Sequence, residues 1–396
     1  MQEFEFYAPT KVFFGKGAEK KLALALKWAG AKRVLVVHGS ASAEKSGLLG
    51  SVRAQLGEAG VAYDFLGGVR PNPRLSLARQ GVKKAIDFEA DLILAVGGGS
   101  AIDTAKAVAI GAMNPNLDIW DDIWLGLAVP QTALPVGVIL TLSATGSETS
   151  ESSVLTNDET LQKLGFNSDF NRPKFALMNP ELTRTLPKNQ LSNGVADIMM
   201  HTLDRYFTKQ LGNGLTDALA ETVLRTVIKH GPKYIETPSD YDAASEIMWC
   251  GSVSHNNLTG LGALRDFSVH TLSYPSSGIY DSLHGPTLTA LWGSWAKHVM
   301  HANPARFAQL GREVFGDESE YESVETAALA AIEKMVAFFK QIDMPTDFSS
   351  LGIGVVSDEV LQDFADRCSY NRGRLVGNFC PIDRDDMYEI YKMANK

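Results

Sequence analysis

The stretch that decides the fold is LILAVGGGSAIDTAK, residues 92–106. It runs from a continuous apolar segment through three glycines into helical spacing, which predicts a strand, a tight turn and a helix. Main-chain NH groups and the helix N-terminus can approach a phosphate closely there, because glycine has no side chain. The run therefore favours a pyrophosphate site at Gly97, Gly98 and Gly99. A plain tight turn needs the same residues, and the run is not the GxGxxG fingerprint.

The alternation of strand and helix extends on both sides of this stretch, up to about residue 180. It is typical of an α/β domain with a parallel sheet. The clearest predicted strands lie at 34–37, 92–96 and 136–140, and the predicted helices at about 17–29, 41–58, 74–87 and 100–112.

After about residue 186 strand-like runs nearly disappear, and long segments carry helical periodicity. These segments lie at 214–236, 241–259, 289–312 and 322–342. We therefore expect an α/β domain at 1–183 and an all-α domain at 184–396, with the boundary in MNPELTRTLP. A cleft between two domains is the default ligand site.

Composition excludes several classes of protein. With 45% hydrophobic residues, 21% charged residues and a net charge of −9, the chain is an ordinary globular protein without a broad cationic surface. Nucleic acid and membrane surfaces are therefore not expected as partners. Three cysteines without a CxxC pair, and an N-terminus that does not resemble a signal peptide, favour a cytoplasmic location.

Two further loops follow predicted strands. The loop from His38 through Gly39, Ser40 and Ser42 holds no acidic residue. An acid there usually binds the ribose 2′-OH of NAD and repels the 2′-phosphate of NADP, so the sequence favours NADP(H) over NAD(H). The serines can equally cap the next helix. The second loop, 141–148, presents hydroxyls to the adenine or the phosphates, with an ST-turn as the alternative.

Candidate metal ligands lie in the second half. Asp197 and His201 stand four residues apart in a helical pattern, so both leave the same face, although an isolated pair of this kind is usually an ion pair. His270 and His284 are separated by a segment rich in Gly, Pro and Ser, which predicts a loop. Three histidines and an aspartate suit Fe2+ or Zn2+ and leave a coordination position open.

Together these segments resemble the iron-containing, group III alcohol dehydrogenase family, especially its butanol dehydrogenase and aldehyde reductase branch. The likeness covers nearly the whole chain and includes FYAPTKVFFGKG, VRPNP, GGGSAIDTAK, TLSATGSE, NPELTRTLP and the two ligand segments.

The resemblance implies a Rossmann-like domain followed by a helical domain, a homodimer, and the metal ligands Asp197, His201, His270 and His284. The cofactor contacts that it implies fall on Gly97, Gly98, Gly99, Ser100, Thr141, Ser143 and Lys163, with the loop around Gly39 and Ser40 accompanying a preference for NADP. Asp103 matches the family's GGGSxxDxxK run. The further candidate cofactor contacts are Ser42, Asn72, Asp103 and Thr145.

Two positions depart from the family pattern. Many members carry a histidine four residues after the third ligand, where this chain has Tyr274, and a phenol is a poorer proton shuttle than imidazole near neutral pH. Ser152 stands where members often have asparagine. We expect proton delivery or substrate choice to be altered, with Tyr274 and His270 as the catalytic candidates.

The resulting hypothesis is hydride transfer between a nicotinamide and a small alcohol or aldehyde, with the metal polarising the substrate oxygen. One alternative is a lyase or cyclase of the dehydroquinate synthase type, which shares the implied architecture and needs clustered cations for phosphorylated substrates. Segment 184–210 offers Arg184, Lys188, Arg205 and Lys209 without a dense cluster. Another alternative is a non-enzymatic protein that binds the nucleotide or the metal.

Overall fold

A computed structural model describes residues 1–39, 42–209 and 212–396. The described chain divides into two compact units. We call Tyr7–Leu186 the sheet unit, and Pro187–Lys396 together with Met1–Phe6 the helical unit.

The sheet unit contains a parallel sheet and a small antiparallel pair. Its strands are β1 (Lys11–Phe14), β2 (Arg33–Gly39), β3 (Ala62–Val69), β4 (Leu92–Gly97), β5 (Val136–Leu140), β6 (Ser152–Thr156), β7 (Lys163–Asn167) and β8 (Phe175–Met178). Among described residues, six strands form the parallel sheet in the order β1-β8-β5-β4-β2-β3, and β6 pairs with β7. β4 and β5 are apolar runs because central parallel strands are covered on both faces.

The helices of the sheet unit follow its strands. They are α1 (Leu22–Ala29), α2 (Ser42–Lys45), α3 (Leu48–Glu58), α4 (Leu75–Asp87) and α5 (Gly99–Met113). The prediction of one helix over 41–58 was wrong, because Gly47 takes a left-handed conformation with φ of 77° and separates α2 from α3. Glycine adopts this conformation at little steric cost.

The helical unit contains, among its described residues, no strand beyond the isolated bridge Val376–Ile382. Its helices are α6 (Lys188–Tyr206), α7 (Gly214–Glu236), α8 (Tyr241–His255), α9 (Ser268–Tyr280), α10 (His284–Val299), α11 (Pro304–Phe315), α12 (Val324–Gln341), α13 (Phe348–Leu351), α14 (Asp358–Ser369) and α15 (Arg384–Ala394). The predicted helix over 289–312 was wrong, because α10 ends and Pro304 begins a new helix that Asn303 caps.

The predicted fold class, a parallel α/β half followed by an all-α half, is confirmed. Aromatic packing fills the core of the helical unit, where Phe207 contacts Trp295, Phe307 and Phe379. In the described part of the chain, no helix has the length and apolar character that crossing a membrane requires.

Candidate metal centre and cofactor loops

Helix α6 carries Asp197 and His201 one turn apart, and both side chains are buried. Nδ1 of His201 lies 3.0 Å from the Asp197 carbonyl oxygen and 3.3 Å from its Oδ1. A nitrogen that faces a carbonyl oxygen must carry the proton, which leaves Nε2 as the nitrogen with a lone pair. Burial, with smaller effects from His270 and Arg205, lowers the pKa of His201 well below its usual value. The ring is therefore neutral, as a metal ligand must be.

His270 lies in the first turn of α9, and its Nδ1 donates to Asp204 Oδ2 over 2.5 Å. Asp204 is on α6, and its side chain is fully buried. This contact selects the tautomer of His270 that keeps its lone pair on Nε2. Burial raises the pKa of Asp204 to about 8, while the hydrogen bond from His270 and the charge of Arg205 act in the opposite direction. A cation held by His270 would favour the carboxylate form of Asp204.

These residues form one buried cluster. One ligand atom each from Asp197, His201 and His270 lies within 4.8 Å of the other two. His284, the first residue of α10, brings its Nε2 to 3.8 Å from Asp197 Oδ1. Donor atoms held at about 2.0–2.2 Å from one ion are at most about 4.4 Å apart, so the ligand atoms need to move by only a few tenths of an ångström to bind one ion. A carboxylate and neutral imidazoles at this spacing fit a divalent transition metal.

The segment between the two later histidines differs from its prediction. A loop was predicted there, but α9 continues as far as Tyr280, and only residues 281–283 connect it to α10. The helix forms despite Pro275 because it buries Val269 and Leu272, and packing outweighs intrinsic propensity. Tyr274 consequently stands one helical turn after His270, with its side chain half-buried.

The glycine run of the sheet unit begins α5 and lies against the hydroxyl-rich loop 141–148. A Cβ built on Gly99 would lie 2.6 Å from Thr145 Cγ2, and one on Gly98 would lie 3.0 Å from Leu142 Cβ. Thr141 also donates its amide to the Gly97 carbonyl oxygen. Two of the three loops singled out in the sequence are therefore in contact, and glycine is required sterically where they meet.

Other predicted cofactor residues lie in the same unit. Ser143 is buried, and its Oγ has no hydrogen-bond partner within the described ranges, so a bound polar group there would satisfy it. Lys163 Nζ donates to Asn72 Oδ1 over 3.0 Å, and both side chains are buried. Ser100 lies in the first turn of α5 and is half-buried.

Asp103 and Lys106, both on α5, form hydrogen bonds with the hydroxyl-rich loop 141–148 and with the residues that follow it, as far as β6. Asp103 accepts from Ser147 Oγ and from the Val154 amide, which uses both of its oxygens. Lys106 Nζ donates to the carbonyl oxygens of Ser147, Ser150 and Ser152 at 2.7, 3.1 and 2.7 Å. Burial lowers the pKa of Lys106 to about 8. Asp103 supports the loop through these contacts, and its predicted contact with the cofactor stays a prediction.

The loop after β2 is described only in part. Gly39 ends β2, and a Cβ built on it would meet the Val69 carbonyl oxygen at an ordinary 3.6 Å. Ser40 lies outside the described residues, and of Ser42 only the backbone at the start of α2 is described.

Sequence reasoning missed one residue beside the metal ligands. The sequence pattern did not single out His255, but its ring stacks on that of His201 with centroids 4.1 Å apart and planes 28° apart. The two histidines are 54 positions apart and lie on different helices, so no local pattern connects them.

Comparison with known proteins places the chain in a family. Residues 9–180 match the family "iron-containing alcohol dehydrogenase", and residues 192–395 match the C-terminal domain of the Fe-containing alcohol dehydrogenase family. The chain is 38% identical over 394 residues to the probable NADH-dependent butanol dehydrogenase 1 of Bacillus subtilis (strain 168). The matched region covers 100% of this chain and 100% of that protein. It is 33% identical to the NADPH-dependent aldehyde reductase YqhD of Escherichia coli (strain K12), over 89% of this chain and 90% of that protein.

The fold agrees with these matches. The crystal structure of NADH-dependent butanol dehydrogenase A from Thermotoga maritima superposes with a TM-score of 0.94 at 32% identity, covering 100% of this chain and 99% of that one. The family predicted from the sequence is confirmed: the chain belongs to the iron-containing alcohol dehydrogenases.

Proposed function

We propose that the chain is a metal-dependent oxidoreductase that interconverts primary alcohols and aldehydes with a nicotinamide cofactor. The buried cluster of Asp197, His201 and His270 carries this proposal, because its ligand atoms lie within 4.8 Å of one another. Carboxylate and imidazole donors suit Fe2+ or Zn2+. When bound, the metal would supply Lewis-acid polarisation of an alcohol or carbonyl oxygen, and the nicotinamide would supply or accept hydride.

The residues of the helical unit would hold the metal as a preorganised set. Asp204 orients His270 through a 2.5 Å hydrogen bond, and the Asp197 carbonyl oxygen orients His201. His284 would complete the ligands. Because burial keeps His201 neutral, its lone pair is available without loss of a proton at neutral pH.

Tyr274 is our candidate for the proton donor in aldehyde reduction. Its position one turn after His270 supports a hydroxyl placed to donate a hydrogen bond to the substrate oxygen or to a connecting water. The Tyr274→Phe variant should lose turnover and keep its metal. If metal content fell together with turnover, the tyrosine would be part of the metal site instead.

The sheet unit would bind the cofactor at Gly97–Ser100, Thr141–Thr145, Asn72 and Lys163. We propose a preference for NADP(H), since the first carboxylate after β2 is Glu44, which is paired with Arg53 at 3.0 Å. Gly39→Asp tests this preference, because a Cβ at this position would meet the Val69 carbonyl oxygen only at an ordinary 3.6 Å. It should lower kcat/KM with NADPH and raise it with NADH. A wild-type preference for NADH, as the name of the Bacillus subtilis relative suggests, would contradict the proposal.

Short or medium aliphatic aldehydes are the proposed substrates, which the names of the butanol dehydrogenase relatives support. The homodimer and the cytoplasmic location stay predictions. Light scattering of the purified protein tests the former.

Reconstitution of the metal-free protein tests the function as a whole. Protein loaded in turn with Fe2+ or Zn2+ should oxidise NADPH or NADH in proportion to the aldehyde reduced, and His270→Ala should lose both metal and turnover. His301→Ala, at an exposed histidine, is the matched control. Full activity of metal-free His270→Ala would refute the proposal.

Two of the four cations considered for the lyase alternative, Lys188 and Arg205, give it no support. Lys188 pairs with Glu236 and Asp343 at the surface. Arg205 is buried, donates to the His201 carbonyl oxygen and packs over the Phe267 ring. Both cations are thus already engaged, and stoichiometric consumption of the reduced cofactor would separate the two reactions.

A further inference from the structure

The histidine stacked on the metal cluster has a specific geometry. His255 is the last residue of α8, and its side chain is buried. Its ring lies nearly parallel to that of His201, with centroids 4.1 Å apart. The ring of His270, by contrast, is not parallel to that of His201, because the two planes are tilted by 44°.

His270 and His201 are held in place by hydrogen bonds of unequal strength. His270 donates to the buried side chain of Asp204 at 2.5 Å, and this hydrogen bond is charge-assisted once a cation held by His270 favours the carboxylate form of Asp204. Nδ1 of His201 instead faces the carbonyl oxygen of Asp197, on its own helix, at 3.0 Å, and the Asp197 carboxylate oxygen Oδ1, a proposed metal ligand, is farther away at 3.3 Å. A neutral hydrogen bond is roughly half as strong as a charge-assisted one. The in-plane hydrogen bond of His201 is therefore the weaker of the two, and a contact on the face of the ring would help to fix its orientation.

We propose that His255 is a positioning residue, which fixes the plane of His201 by stacking and so keeps the His201 lone pair directed at the metal. This inference rests on the proposed metal site. A flat ring lying on one face of His201 opposes rotation about the bond that joins the imidazole to Cβ, and burial leaves neither ring space to move.

The geometry favours stacking over direct ligation by His255. Imidazole binds a cation through a lone pair that lies in the plane of the ring. Rings stacked at 28° direct their lone pairs in separate, nearly parallel planes.

Metal affinity of the full-length protein tests this assignment. The Zn2+ dissociation constant is measured by competition with a chromophoric chelator for the wild type, His255→Phe, which keeps a flat ring, and His255→Leu, which keeps apolar volume without one. Loss of an outer contact to a ligand typically costs about 10–100-fold in metal affinity. We expect that loss in His255→Leu and wild-type affinity in His255→Phe. His301→Ala is the control for loss of an unrelated histidine.

A second measurement excludes a merely structural effect. The visible spectrum of the Co2+-loaded protein reports ligand geometry, and it should change in His255→Leu and not in His255→Phe, while the thermal midpoints of the metal-free variants stay alike. If His255→Leu does not fold, His255→Gln replaces it.

Each outcome decides the inference. Equal losses in the Phe and Leu variants would overturn stacking and indicate that a nitrogen of His255 is required. No loss in either variant would overturn a positioning role while leaving the metal site intact. A wild type that binds no Zn2+ or Co2+ would overturn this inference together with the proposed metal site.

Discussion

Replacing Asp204 tests how far the ligand histidines depend on their own hydrogen bonds. Asp204→Asn retains the size of the side chain and removes its charge, and Asp204→Ala also removes the hydrogen bond to His270 Nδ1. The hydrogen bond at His270 Nδ1 becomes neutral in Asp204→Asn and is lost in Asp204→Ala, so the direction of the ring and the basicity of Nε2 are supported less in each variant. We therefore expect metal affinity to fall in two steps.

The magnitudes follow from burial and distance. The Asp204 side chain is fully buried, so solvent screening does not weaken its 2.5 Å contact with His270. A hydrogen bond to a charged group contributes about 1.5–3 kcal/mol and a neutral one about 0.5–1.5 kcal/mol. The difference, about 1–1.5 kcal/mol, corresponds to roughly 5–15-fold weaker metal binding in Asp204→Asn. Complete loss corresponds to about 10–150-fold in Asp204→Ala.

Chelator competition on freshly loaded protein measures both steps, and thermal unfolding of the metal-free forms shows whether the fold survives. Asp366→Ala is the control, because it removes a carboxylate of the helical unit that pairs with Arg384 and contacts no ligand histidine. Its metal affinity should equal that of the wild type. Unchanged affinity in both Asp204 variants would refute the reasoning.

Three further predictions concern stability and the cofactor. Gly99→Ala should abolish tight nicotinamide binding in a fluorescence titration, because its Cβ would lie 2.6 Å from Thr145 Cγ2, and calorimetry should show about 1–3 kcal/mol of lost stability. Asp217→Ala breaks a 2.6 Å ion pair with buried Arg306 and should cost about 3–5 kcal/mol in urea denaturation. The pKa of Asp317 is lowered by hydrogen bonds from a lysine, a tyrosine and a serine, so its stabilisation is present above about pH 4 and lost below it. Asp317→Asn should therefore flatten the acid side of the stability curve.

Three strands of the parallel sheet could be predicted from the sequence, but the edge strand β3 and the short inner strand β8 could not. β2, β4 and β5 are buried and carry continuous apolar runs, which periodicity identifies. β3, at the edge of the sheet, is partly exposed and mixes Tyr63 and Asp64 with apolar residues. The four-residue β8 is too short to be distinguished from a helix by its pattern.

The candidate site was predictable to the extent that its geometry is local. Asp197 and His201 lie on one helix, so their spacing places them together. The hydrogen bond between Asp204 and His270 spans 66 positions, and the stack of His255 on His201 spans 54. Such contacts depend on how helices pack, which the order of residues in one segment does not encode.

The buried amine of Lys106 gives the sheet unit an internal reporter. Its Nζ is surrounded by three carbonyl oxygens. A reagent that acylates amines therefore cannot reach it while these hydrogen bonds are formed. Its acylation must therefore wait for the loop that contains Ser147 and Ser150 to detach from α5. The labelling rate of this single lysine, read by peptide mass spectrometry, would follow the opening of that loop under native conditions, and a ligand that secures the loop would slow it.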